Sequence, residues 1–316
     1  RTLNEGLMMR ILNILLLVLL LAAPLAVDAD ASEVPGSADW YLYVDLEQMR
    51  SEDAGKALYD WLDGEVLTEV EEEAGVSLDQ EVDSVTAFAS AGEGPVVVID
   101  GPISTDTKDK IMALIAAEGD LAPLKASGRS YYRLGEGDGA FSNGDIEIDL
   151  DSLDDGGWIS LDVKNKILVT GTEDRMKALL ANKGRVPGPG RNKGALLVLT
   201  AEKALLQAGM NTGALKDDGD DDLDSKILRN TEQVAFLLAI VRDKLAIEAE
   251  LVTTDADMAE SLASVARGLI SLIAFDDSMD AETMAVLRST KIEAKGNSLN
   301  LSLAVDPSLV VRTIEN

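Results

Sequence analysis

The sequence predicts an α+β protein built from two similar modules, each with a mainly antiparallel sheet packed by amphipathic helices. Three observations carry this prediction. The first is the stretch from Thr231 to Phe275. Val234–Ile240 is a continuous apolar run, Arg242-Asp243-Lys244 turns the chain, and Leu245, Ile247, Ala249 and Leu251 alternate with polar residues, which is the pattern of a β-hairpin. Thr254-Asp255 then offers an N-cap, and Met258, Leu262, Val265, Ala266, Leu269, Leu272 and Ile273 fall at helical spacing on one face. The second is a similar order of elements in the first half, at Val82–Ala89, Val96–Ile99 and a helix capped by Ser104-Thr105-Asp106. The third is the segment Val186–Gly194, which has no periodicity and is made of breakers.

The amino end precedes this repeat. Met8, Met9 and Arg10 lead into the run Ile11–Ala23, apolar apart from Asn13, and Ala29-Asp30-Ala31 before Ser32 has the small-x-small form of a signal-peptidase site. Residues 1–31 therefore read as a leader and signal peptide, and the mature chain as exported, periplasmic or extracellular, with no membrane span after cleavage. The run through Val27 is short for a bilayer span and Pro24 interrupts it, so an uncleaved anchor is the lesser reading.

Residues 32–185 form the expected first module. Trp40, Leu42 and Val44 alternate with Tyr41, Tyr43 and Asp45 as a strand. Ser51-Glu52-Asp53 starts a helix containing Ala57, Leu58, Trp61 and Leu62, and Val66–Ala74 reads as a second, acidic helix stopped by Gly75. After the hairpin and helix already described, a loop from Gly119 leads to Tyr131-Tyr132 and then to a Gly- and Asp-rich segment, Gly135–Gly144. Strands follow at Ile146–Leu150, Trp158–Val163 and Ile167–Thr170, with Asn165 at a tight turn, and Thr172-Glu173-Asp174 opens another helix. Residues 186–194 are the linker, and residues 195–316 the second module. There Ala195–Thr200 is a strand, Ala201–Ala208 a short helix, and Ala281–Leu287 a helix. Lys291–Ala294 and Leu299–Val305 form a hairpin about Gly296-Asn297, and Asp306-Pro307 begins a final helix. Each half reads β-α-β-β-α-β-β-α, with extra strands in the first.

Composition limits the chemistry. A net charge of −29 in 316 residues leaves nothing to neutralise phosphates, which excludes nucleic acid, and an anionic membrane would repel the chain. The absence of Cys and His removes disulfides, thiolate nucleophiles, imidazole bases, ordinary zinc sites and the Ser-His-Asp triad. The glycine-rich runs Gly188–Gly194 and Gly135–Gly139 do not link a strand to a helix, so neither supplies a phosphate-binding helix N-terminus. Carboxylate pairs able to hydrolyse a glycosidic bond arise everywhere among 57 acidic residues, and no pair is marked out.

Asp220, Asp222 and Asp224 alternate as in the first half of a calcium loop. The match then breaks, because Ser225 stands where glycine is needed and Thr231 where the bidentate glutamate belongs. A self-repelling acidic loop is the favoured reading and a weak calcium site the alternative.

Two segments, Ala38–Asp45 and Val286–Val311 with its Lys291–Asn297 turn, resemble uncharacterised exported bacterial proteins built from two α+β modules. The resemblance implies a fold and brings no activity or functional residue with it. The expected function is therefore a non-catalytic exported binding or structural protein, with no cofactor, whose partner is a protein or a hydrophobic small ligand. A carboxylate-dependent hydrolase and a calcium-binding exported protein are the alternatives.

Overall fold

A computed structural model describes residues 38–64, 80–90, 93–118, 122–134, 141–143, 146–148, 157–186, 194–203, 227, 229–273, 281–289 and 290–314. The structure is α+β, with extensive antiparallel sheet and several helices, and it divides into two compact units, Ala31–Arg191 and Asn192–Asn316.

In the unit Ala31–Arg191, strands β1 (Trp40–Asp45), β2 (Ser84–Ser90), β3 (Gly94–Asp100), β4 (Leu124–Ala126), β5 (Arg129–Arg133), β8 (Trp158–Ser160) and β9 (Lys166–Thr170) lie in the order β1-β2-β3-β9-β8-β5-β4. All neighbours are antiparallel. The separate hairpin of β6 (Phe141–Asn143) and β7 (Ile146–Ile148) stands outside that order. Helices α1 (Leu46–Ser51) and α2 (Asp53–Leu62) follow β1, α3 (Thr105–Glu118) follows β3, and α4 (Glu173–Ala181) follows β9.

Local chemistry explains these elements. Asp45 ends β1 and caps α1, its carboxylate accepting from the Gln48 backbone N–H at 2.8 Å and from the Tyr43 hydroxyl at 2.9 Å. The helix therefore starts at once after the strand, several residues before the Ser51 start expected from sequence. Gly55 lets α2 fold back on α1, since a Cβ there would stand 2.7 Å from the Met49 carbonyl oxygen. Ser104 caps α3 by accepting from the Thr107 N–H at 3.1 Å. Ile111 and Ile115 of α3 then pack on the buried Ile103, Ile159 and Ile167. On α4, Met176 and Leu180 are fully buried, and Tyr131 donates to Glu173 at 2.7 Å.

In the unit Asn192–Asn316, β10 (Ala195–Glu202), β11 (Thr231–Val241), β12 (Lys244–Thr253), β13 (Lys291–Lys295) and β14 (Ser298–Val305) lie in the order β10-β11-β12-β14-β13, again antiparallel throughout. Helices α5 (Ala256–Ile273), α6 (Ala281–Ser289) and α7 (Pro307–Ile314) complete it. The expected β11–β12 hairpin is present. Its turn residues Arg242 and Asp243 both have positive φ, 52° and 62°, as a two-residue turn matched to strand twist requires. Asp255 caps α5 by accepting from the Met258 N–H at 2.8 Å.

Two expectations need correction. Ala201 and Glu202 continue strand β10, paired with Val234 and Gln233, so the helix expected from Ala201 does not begin there. Residues 124–133, expected as a loop, form the β4–β5 hairpin around Ser127-Gly128, both at positive φ. The expected helix at Val66–Ala74 and most of the linker at residues 186–194 lie outside the described residues.

Candidate functional site

The sheet of the unit Asn192–Asn316 has two chemically different faces, because its strands alternate apolar and polar or small residues and the register aligns like with like. One face carries Leu199, Phe236, Ala249, Leu301 and Ile292, which pair directly across adjacent strands. It packs beneath α5, where Leu251, Ala263 and Leu299 form a buried cluster with Val234 and Leu262 against it.

The opposite face has a different composition. One row across the strands reads Val198, Leu237, Glu248, Ser302, and the next reads Thr200, Ala235, Glu250, Asn300. On the other side of Glu248 lie Ala239, Ala246 and Ala304, paired across the strands, with Ala239 and Ala246 fully buried. The strip thus passes from small apolar side chains, through the Glu248 carboxyl, to a row with a second carboxyl, Glu250, an amide and a hydroxyl.

Glu248 is the chemical centre of this strip. Its side chain is 5% exposed, and Ser302, Asn300 and Thr200 beside it are also buried. Its Oε1 has no hydrogen-bond partner among the described residues. Burial pushes the carboxyl up to about 7. A buried acid left unpaired costs free energy, and such costs concentrate at sites that meet something else.

The other perturbed groups are satisfied inside the fold. The Tyr131 hydroxyl, and then Lys177, hold Glu173 below the usual carboxylate range. Burial lowers Lys108, whose ammonium donates to the carbonyls of Leu161 and Val163 at 2.7 and 3.2 Å. A pocket of about 430 Å³ at the end of α4 is lined by Ala181, Asn182, Lys183, Arg185 and Val186. Cations at a helix C-terminus are the ordinary complement of its dipole, so this pocket is not a candidate for chemistry.

Asp220, Asp222 and Asp224, singled out in the sequence, lie outside the described residues. Among the described residues no group of three or more acidic side chains is placed to hold a metal ion, and no helix is long and apolar enough to cross a membrane. Glu248 was not singled out by sequence. Its signal was present as a charged residue in a strand otherwise read as apolar alternation, at a position where the register with Leu237 and Ser302 decides its surroundings.

No protein-family model and no curated protein matches this chain. It is similar to solved structures of TP0453. Crystal form III has a TM-score of 0.47 at 12% identity, covering 89% of this chain and 96% of that one. Crystal form IV has a TM-score of 0.45 at 13% identity, covering 92% and 99%.

Proposed function

We propose that this chain is an exported, non-catalytic binding protein whose ligand-facing surface is the strip centred on Glu248. The supporting observation is the buried carboxyl: Glu248 is 5% exposed, its Oε1 lacks a partner among the described residues, and burial raises it. A buried carboxyl beside the apolar Ala239, Ala246 and Ala304 suits a small amphiphile with an apolar body and a hydrogen-bond-donating or amine head. The mature chain begins at Ser32, and the ligand or protein partner is met in the periplasm or outside the cell.

The same proposal includes an internal duplication, with modules at residues 32–185 and 195–316 joined by residues 186–194. The strand orders support it: in each unit the first three strands are consecutive neighbours and the last two follow in reverse, as β1-β2-β3-β9-β8 and β10-β11-β12-β14-β13. The hairpin–helix units β2-β3-α3 and β11-β12-α5 occupy equivalent places. Independent folding of each unit, expressed separately, tests this part.

The binding proposal is tested by extracting the protein from its exported fraction under denaturing conditions and identifying what it released by mass spectrometry. A stoichiometric amphiphile, absent from a Glu248→Ala preparation of equal stability, is the expected outcome. Release of nothing from the wild type, together with no saturable uptake of an alkylamine probe, counts against it.

A further inference from the structure

The side chains that helix α5 turns most fully to the sheet are small ones. The residues buried beneath it are Ala259, Ala263 and Ala266, a small-residue stripe that brings the helix close to the strands. Met258, Leu262, Val265, Leu269 and Leu272 form the adjoining ridge about a quarter-turn around the helix axis, and its Leu262 also packs against the cluster of Leu251, Ala263 and Leu299. At its outer edge Val265 is 54% and Leu272 is 69% exposed, the two most exposed large apolar side chains among the described residues.

The ridge has the form of a helix-pairing seam. Its spacings alternate four and three residues, the 3.5-residue period by which one helix packs along another. Beside it runs a strip of Ser261, Ser264, Gly268 and Ser271, and nothing lies within 4 Å of a Cβ built at Gly268. From Ser261 to Phe275 the only charged residue is Arg267, which is turned to the Glu260 carboxylate at 3.2 Å and the Ile292 carbonyl. In a chain of net charge −29, an uncharged stripe is where two copies can approach without repulsion. It offers a differently charged partner nothing to pair with.

We infer that α5 pairs antiparallel with α5 of a second copy, about a twofold axis passing through Val265. The sequence is self-complementary in that register. Val265 meets Val265, Leu262 fills the space over Gly268, Leu269 lies over Ser261, and Met258 packs on Leu272, so each large side chain at the inner positions faces a small one. A twofold interface requires this match of one surface with itself.

Sedimentation of the full chain over a range of concentrations provides the test. The expected result is a reversible doubling of mass, abolished by Leu272→Glu or Val265→Glu. Because the chain has no cysteine, single cysteines report the register without background. Val265→Cys forms a disulfide-linked dimer under mild oxidation, whereas Leu272→Cys and the exposed control Asp60→Cys do so at least about tenfold more slowly. Four outcomes overturn the inference. One is a monomer at every concentration. Another is a monomer that instead associates with phosphatidylcholine vesicles, which assigns the ridge to a lipid surface. The others are a dimer indifferent to both glutamates, and self-linking of Leu272→Cys as fast as Val265→Cys, which indicates a parallel pair.

Discussion

Glu248 of β12 stands directly across from Ser302 of β14, both buried, yet Glu248 Oε1 has no hydrogen-bond partner among the described residues. The carboxyl is raised from 4.5 to about 7 by burial. Between these values the native state keeps a proton that the unfolded chain releases. Stability therefore falls as pH rises through that window, and the loss is complete above it. Glu248→Gln removes the penalty. In urea unfolding the variant should match the wild type near the lower value and exceed it by up to roughly 3 kcal/mol at about pH 8. An equal difference at both pH values contradicts this assignment.

The packing of α5 is tested from the two sides of the helix. Ala263→Leu forces a large side chain into the close contact with the sheet and should cost about 1–3 kcal/mol. Val265→Ser, on the exposed ridge, should leave the stability of the isolated chain within about 0.5 kcal/mol. Reversal of these effects in denaturant melts shows that the helix sits the other way round.

Asp45 joins β1 to α1 through two hydrogen bonds. Asp45→Ala removes the cap and the acceptor for the Tyr43 hydroxyl, and should cost about 2 kcal/mol. Tyr43→Phe should cost less, because the cap survives it. Chemical denaturation of both variants checks the order.

At the β11–β12 turn, Asp243 holds a left-handed conformation that glycine adopts without a steric penalty. Asp243→Gly should raise stability by about 0.5–1 kcal/mol, read as a higher denaturation midpoint. A fall in midpoint shows that the aspartate side chain supports the turn.

The acidic loop gives a prediction about ions. A self-repelling Asp220, Asp222 and Asp224 cluster predicts that sodium and calcium chlorides raise the melting temperature equally at equal ionic strength. A saturable increment specific to calcium, lost when all three become asparagine, establishes the alternative of a site.

Much of the fold was legible because hydrophobic periodicity and turn chemistry agreed. Arg242-Asp243, Asn165 and Gly296 sit at turns where φ is positive, and Ser104 and Asp255 cap the helices that their positions suggested. The β4–β5 hairpin was missed because its strands are short and polar, although Ser127-Gly128 carried the signal. Helix α1 was missed because Asp45 reads equally well as the last residue of an alternating strand. On α5 the apolar residues marked a helix correctly, and Ala266 and Leu262 of that set do meet the core, but Val265 and Leu272 are exposed, since close approach to a sheet favours alanine over larger side chains. The site was least legible. Glu248 becomes unusual only when β11 and β14 flank it and remove it from water, a consequence of register between distant segments.

The most direct test of the binding account is calorimetric titration of a medium-chain alkylamine into the wild type and Glu248→Gln above neutral pH, where the carboxylate is charged. The account predicts saturable binding to the wild type, weakened at least about tenfold in the variant through loss of a charge-assisted hydrogen bond. Equal affinity in the two proteins, or no saturable heat in either, contradicts it.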